Sequence, residues 1–124
     1  MSYTVLVVDD SDLNRKLVTT LLRANKFDTI EAEDGEQAYD MAVQNLPDLV
    51  LMDVQLPKED GYSVTRRLRE NPGTQTLKII ALTAHAMAQE EERAREAGCD
   101  GYISKPIDTR TLVSDILHTI EGSG

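Results

Sequence analysis

Apolar residues in this chain fall into short continuous runs separated by longer amphipathic stretches. Thr4–Val8, Asp48–Met52 and Lys78–Leu82 are nearly unbroken in hydrophobicity, the mark of strands buried on both faces. Asp28–Ala32 alternates in polarity and reads as an edge strand, and Gly101–Ser104 is a fifth strand. Between the runs, Leu13, Leu17 and Leu21 with Val18 and Leu22 make a helical stripe behind an N-cap at Ser11 or Asp12. Ala38, Met41 and Ala42 define a second helix, entered through an Asp34-Gly35 turn and ended before Pro47. A loop with Pro57 and Gly61 leads to a third helix, with Val64 and Leu68 inward, which stops before Pro72-Gly73. A fourth, Met87–Ala97, turns mostly alanine inward, exposes Glu90 to Arg93 and Arg95, and closes at Gly98. Asp108 or Thr109 caps the last helix, whose core face is Leu112, Ile116 and Ile120 with Val113 and Leu117.

Five strands alternating with five helices predict one α/β domain over residues 1–124: a parallel sheet, helices on both faces, right-handed crossovers, and no output domain. At 124 residues the chain can bury a core without metals or disulfides, and 40% hydrophobic content with 4% aromatics makes that core aliphatic. No apolar run matches a bilayer span and no signal-peptide pattern opens the chain, so no membrane insertion is expected. The single cysteine, Cys99, suits a reducing compartment, and a cytoplasmic location follows as the expectation. Thirteen Lys and Arg against 22 Asp and Glu give a charge of −9, which argues against direct DNA binding and against anionic membrane surfaces.

Three strand ends carry chemistry. Asp9-Asp10 follows the first run, Asp53 the third, and Lys105-Pro106 the fifth. In parallel neighbours these groups converge at one edge of the sheet, where open α/β folds build ligand sites. Carboxylates about 6 Å apart repel by roughly 3 kcal/mol per pair at an effective dielectric of about 20. Such crowding suits a divalent cation and a phosphoryl group and makes little sense as packing.

The strings Val7-Val8-Asp9-Asp10-Ser11, Leu51 to Pro57 closed by Gly61, Leu82-Thr83-Ala84 and Tyr102-Ile103-Ser104-Lys105-Pro106 together resemble a CheY-like response regulator receiver domain across nearly the whole chain. The resemblance implies a flavodoxin-like sheet in the order 2-1-3-4-5. It implies Asp53 as phosphoacceptor, served by the phosphohistidine of a histidine kinase or histidine phosphotransfer protein. Asp9, Asp10, Asp53 and the backbone carbonyl of Gln55 would hold Mg²⁺, or Mn²⁺. Lys105, aimed by a cis Lys105-Pro106 bond, and Thr83 would contact the phosphoryl group. Thr83 and Tyr102 would form a switch that repacks helix 4, strand 5 and helix 5 toward a downstream protein target. Gln55 and His85 occupy rate-tuning positions. Such a protein catalyses its own phosphorylation and dephosphorylation without being a conventional enzyme, and is expected as a monomer with dimerisation open. Leu82 to Met87 resembles receivers of hybrid kinases and single-domain regulators of cell division or development.

Other classes fit less well. An aspartyl phosphatase carries a second acid two residues after its nucleophile, where this chain has Gln55. A flavin site would meet repulsion between its phosphate and Asp9-Asp10. A degenerate binding module would not keep every catalytic group. Outside the site, Cys99 reads as packing and His118 as surface. Arg66, Arg67, Arg69, Arg93 and Arg95 read as a solvated basic face with pairs such as Glu91–Arg95.

Overall fold

The protein is described by a computed structural model over residues 2–84 and 87–122. Five strands, β1 (Thr4–Val8), β2 (Asp28–Ala32), β3 (Leu49–Asp53), β4 (Lys78–Thr83) and β5 (Gly101–Ser104), alternate with α1 (Asp12–Ala24), α2 (Gly35–Asn45), α3 (Gly61–Glu70), α4 (Ala88–Ala97) and α5 (Leu112–Glu121). All strand pairs are parallel, in the order β2-β1-β3-β4-β5. The alternating strand β2 is at the edge, as its pattern predicts.

Side chains alternate across the sheet and divide the core. Val5, Val7, Leu49, Leu51, Ile80 and Leu82 pack with Val18 and Leu22 of α1 and with Leu112 and Ile116 of α5. Leu6, Val8, Val50, Met52 and Ile79 pack on the other face with Ala38 and Ala42 of α2 and Val64 and Leu68 of α3. Helix α4 joins that second face through Ala94 and Ala97, against Ala81, Val54 and Tyr62.

Helix starts follow local chemistry. Ser11, Asp34 and Asp60 are N-caps whose side chains accept from the N–H three residues on, in α1, α2 and α3. Gly98 closes α4 in the left-handed region, at φ 105°. At the amino end of the sheet, Arg69 donates to Gly98 O at 2.9 Å and to Leu77 O at 2.6 Å, and pairs with Asp100 at 3.0 Å. Asp100 in turn accepts from Ile79 N at 2.8 Å, so one guanidinium joins α3, α4, β4 and β5.

Two expectations change. Leu13 and Leu17 do not belong to the buried stripe of α1: they are 77% and 52% exposed. The helix faces the sheet along the Val18–Leu22 row, and Leu13 and Leu17 are an i, i+4 row turned about 100° away from it. Helix α5 starts at Leu112 rather than after Asp108 or Thr109, with Thr111 at the cap position and no side-chain capping bond. Asp108 instead closes a turn, its carboxylate accepting from Arg110 N at 2.9 Å and its carbonyl from Thr111 N at 3.2 Å.

Gly61 is the position where the loop after β3 returns onto the strand it left. A Cβ there would overlap the Asp53 carbonyl oxygen and stand 2.8 Å from Val54 Cα, both backbone atoms. Gly61→Ala should destabilise the fold by about 3 kcal/mol, since backbone rather than a mobile side chain must yield. Urea denaturation with an unchanged midpoint would contradict the close approach.

Candidate functional site

Strand register builds the site. Val8 pairs with Met52, so Asp9 stands beside Asp53 just beyond the paired residues. Asp53 pairs with Leu82, and Thr83 with Ser104, so Thr83 and Lys105 close the same edge. The Lys105 N–H donates to Thr83 O at 2.7 Å, which carries the ladder one residue past β5. The Lys105–Pro106 bond is cis.

Asp9, Asp10 and Asp53 place a carboxylate oxygen each within 4.8 Å of one another; Asp9 and Asp53 are buried and Asp10 is exposed. Lys105 Nζ lies 2.7 Å from Asp53 Oδ2 and 3.6 Å from Asp9 Oδ2. The remaining oxygens are also held: Asp53 Oδ1 accepts from Gln55 N at 3.0 Å, and Asp9 Oδ1 from Ser11 N at 2.9 Å. Burial pushes the Asp53 carboxyl above its ordinary range, aided by Asp9 and resisted by Lys105 and the Gln55 N–H. Burial also works against the Lys105 ammonium, but its bond to Asp53 and the charges of Asp53 and Asp9 outweigh that and raise its pKa. The ammonium therefore stays charged among three acids. All donors are oxygen and one acid faces solvent, a set that fits a hard divalent cation keeping part of its hydration.

The surrounding loops are fastened. Gly35 N donates to Pro57 O at 3.2 Å, and a Cβ on Gly35 would stand 2.8 Å from Glu59 Cβ. Lys58, at φ 69°, reaches Asp34 at 3.6 Å and Glu36 at 3.8 Å. Thus α2 holds the loop that follows Asp53. On the other side, Arg15 donates to Asp9 O at 2.6 Å and pairs with Asp12, with Glu31 at 3.1 Å and with Glu33 at 3.6 Å.

Of the residues expected here, Asp9, Asp10, Asp53 and Lys105 come together directly. Thr83 is buried at the end of β4. Gln55 touches Asp53 through its backbone. Tyr102 is half-buried, away from the acids, and donates to Glu91 at 3.4 Å. His85 lies outside the described residues. Cys99 is packed, its thiol pushed by burial to about 11, and His118 is exposed. Glu91–Arg95 forms at 3.5 Å, and Arg66, Arg67, Arg93 and Arg95 are exposed as a solvated face requires, whereas Arg69 turns in to the Gly98 and Leu77 carbonyls.

Sequence reasoning missed one part. A cleft of about 670 Å³ runs from Asp10 and Thr83 past Gln55 to Tyr62, Glu90 and Arg93. A tyrosine on the inward face of α3 was the available signal, because a buried phenol needs a hydrogen-bond partner. A second groove, lined by Leu17, Val18, Ala84, Lys105, Pro106 and Ile107, opens beside the exposed leucines of α1.

This flavodoxin-like sheet order brings the acids after β1, the acid that ends β3 and the lysine after β5 into one cluster that could hold a metal ion. The response regulator receiver domain model matches residues 5–117. The polar-differentiation response regulators DivK of Brucella ovis and Brucella anthropi are each 41% identical over 116 residues, 94% of both chains. A putative response regulator from Chloroflexus aurantiacus superposes with a TM-score of 0.92 at 34% identity, covering 98% of this chain and 99% of that one. The receiver domain of the sensor histidine kinase PA1611 from Pseudomonas aeruginosa, solved with magnesium in its active site cleft, matches with a TM-score of 0.90 at 32% identity. It covers 98% of this chain and 100% of its own. The chain belongs to the response regulator receiver family. It is a CheY-like module of two-component signalling, whose members work with histidine kinases and downstream targets, and it is similar to DivK. Among the described residues no helix is long and apolar enough to cross a membrane.

The electrostatics set a measurable sign. With its pKa raised in the fold, ionised Asp53 costs stability above that pKa, and the cost disappears as pH falls through it. At neutral pH and without divalent cation, Asp53→Asn should raise the melting temperature by about 4 °C, a net of about 1 kcal/mol after the lost Lys105 contact. Millimolar magnesium should raise the wild-type melting temperature more than that of the variant. Calorimetric scans showing identical melting in all four conditions would contradict the crowded-acid account.

Proposed function

We propose that Asp53 accepts a phosphoryl group from a phosphohistidine, on a histidine kinase or a histidine phosphotransfer protein, and that phosphorylation sets the protein's output. The observation that carries this reading is the meeting of Asp9, Asp10 and Asp53 within 4.8 Å, with Lys105 at 2.7 Å from Asp53. A phosphorus–oxygen bond forms at the Asp53 carboxylate as the phosphorus–nitrogen bond breaks, and its electron pair leaves on the imidazole nitrogen. Asp9, Asp10, Asp53 and the Gln55 carbonyl would hold magnesium, or manganese, whose charge would be available to offset that of the phosphoryl oxygens. Lys105 supplies a point charge to the same oxygens without imposing a fork geometry. Thr83 receives one of them and, with Tyr102, repacks α4, β5 and α5 toward a downstream protein. Gln55, whose N–H is bonded to Asp53, and His85 tune how long the acyl phosphate lasts. The module acts as a cytoplasmic monomer, and its receiver domain includes the matched residues 5–117.

A donor histidine must reach Asp53 through the open edge, and the exposed leucines of α1 flank that approach beside Pro106 and Ile107. Apolar side chains at 77% and 52% exposure support a helical surface of the donor as their counterpart.

Intact mass after incubation with magnesium and acetyl phosphate should rise by one phosphoryl group, and Asp53→Asn or a chelator should abolish the gain. No gain under conditions that preserve acyl phosphates would leave a binding module without phosphotransfer. Leu17→Glu separates docking from chemistry. Labelling by acetyl phosphate should persist, while transfer from a phosphorylated histidine phosphotransfer protein slows by roughly tenfold or more. Equal slowing with both donors would refute the docking role of α1.

A further inference from the structure

We propose that Tyr62, Glu90 and Arg93 anchor the first turns of α4 to α3, and that this anchor opposes the receiver's switch. The inference rests on the phosphoacceptor reading of Asp53, and it concerns positioning residues that touch no reacting atom. Tyr62 is 4% exposed, with its ring packed against Ala81, Ala94 and Ala97. Its hydroxyl donates to Glu90 Oε1 at 2.8 Å. Arg93 pairs with the other Glu90 oxygen at 3.6 Å and sets its guanidinium carbon 5.1 Å from the Tyr62 ring centroid. The Glu90 side chain is only 14% exposed, so water is a poor substitute for either partner. Burial and the neighbouring carboxylate also keep the phenol protonated and donating.

The anchor stands where a movement of Thr83 would be felt. Tyr62, Glu90 and Arg93 line the same cleft as Asp10 and Thr83. Helix α4 begins at Ala88, so four residues link it to Thr83 at the end of β4. At its far end α4 is held by Arg69, which donates to the carbonyl of its C-cap, Gly98. A pull from Thr83 is therefore taken up at the first turns, where the buried apolar side chains of α4, Ala94 and Ala97, do not reach. There the Tyr62–Glu90 bond resists displacement. A contact made in one of two arrangements biases the equilibrium by its own strength, and its loss favours the other.

The experiment is a titration of the full chain with beryllofluoride, a phosphoryl analogue, in magnesium, followed by amide NMR and accompanied by thermal melting. Tyr62→Phe keeps the ring and removes the donor; Glu90→Ala removes the acceptor from the α4 side and decides the matter if the first variant folds poorly. Both should bind the analogue roughly three- to tenfold more tightly than wild type, and the double variant no more tightly than either single one. Unchanged or weaker binding, with or without a lower melting temperature, would overturn the anchor while leaving the receiver reading intact. If wild type shows no binding that depends on Asp53, the receiver reading fails and the anchor fails with it.

Discussion

The structure turns on the mutual repulsion of carboxylates at one edge of the sheet. Parallel strands in register end together, so Asp9 just after β1 and Asp53 at the end of β3 must meet, and the fold gives these two little water. Lys105 offsets part of that repulsion by standing on Asp53, and the Gln55 and Ser11 N–H groups take the free oxygens. What remains uncompensated is the affinity of the site. On the proposed reading a divalent cation and a phosphoryl group would relieve together what neither relieves alone, because each without the other leaves an excess of one sign.

Around that edge the molecule is unevenly stiff. The central strands are buried on both faces, Gly35 and Gly61 press the loop after β3 against α2 and against its own strand, and Arg69 joins four elements at the opposite end. Helix α4 contrasts with this. Its buried side chains are Ala94 and Ala97, each worth about one methyl group of transfer, whereas α5 sinks Leu112 and Ile116 at roughly 1.5–3 kcal/mol apiece. Polar contacts through Tyr62, Glu90, Glu91 and Tyr102 supply what apolar burial does not. An element held by a few replaceable bonds is where a local change of charge can alter the packing.

The same contrast explains what was legible in the sequence. Strand runs and the acids at their ends are read directly from continuous hydrophobicity, whereas the order that makes them neighbours came from the resemblance to receiver domains. The edge position of β2 follows from its alternation. Leu13 and Leu17 were misread because periodicity shows that a helix has an apolar face without showing that the core covers all of it. The start of α5 was misplaced because Asp108 competes for its own turn with Arg110, and a capping residue type does not reveal which N–H it will take. Tyr62 and Glu90 are 28 residues apart and meet only through the packing of α3 on α4, so the inward tyrosine signals that a partner is needed without naming it.

The division of the core bears on the proposed input and output: α5 lies beside α1, so of the proposed output surface only α4 stands on the far face from the donor. Helices α1 and α5 share one face of the sheet, while α2, α3 and α4 share the other. The exposed leucines of α1 and the alanine-packed α4 are therefore on opposite faces, joined at the strand ends that carry Asp53, Thr83 and Lys105. A donor approaching over α1 need not touch α4, and a target gripping α4 need not displace the donor by direct overlap. On the proposed reading, communication between them would pass through the charge on Asp53, at the strand ends that both faces border. A receiver working in this way would report the chemistry at its edge rather than the mere presence of its donor, because strand register brings Asp9, Asp53, Thr83 and Lys105 to that one edge.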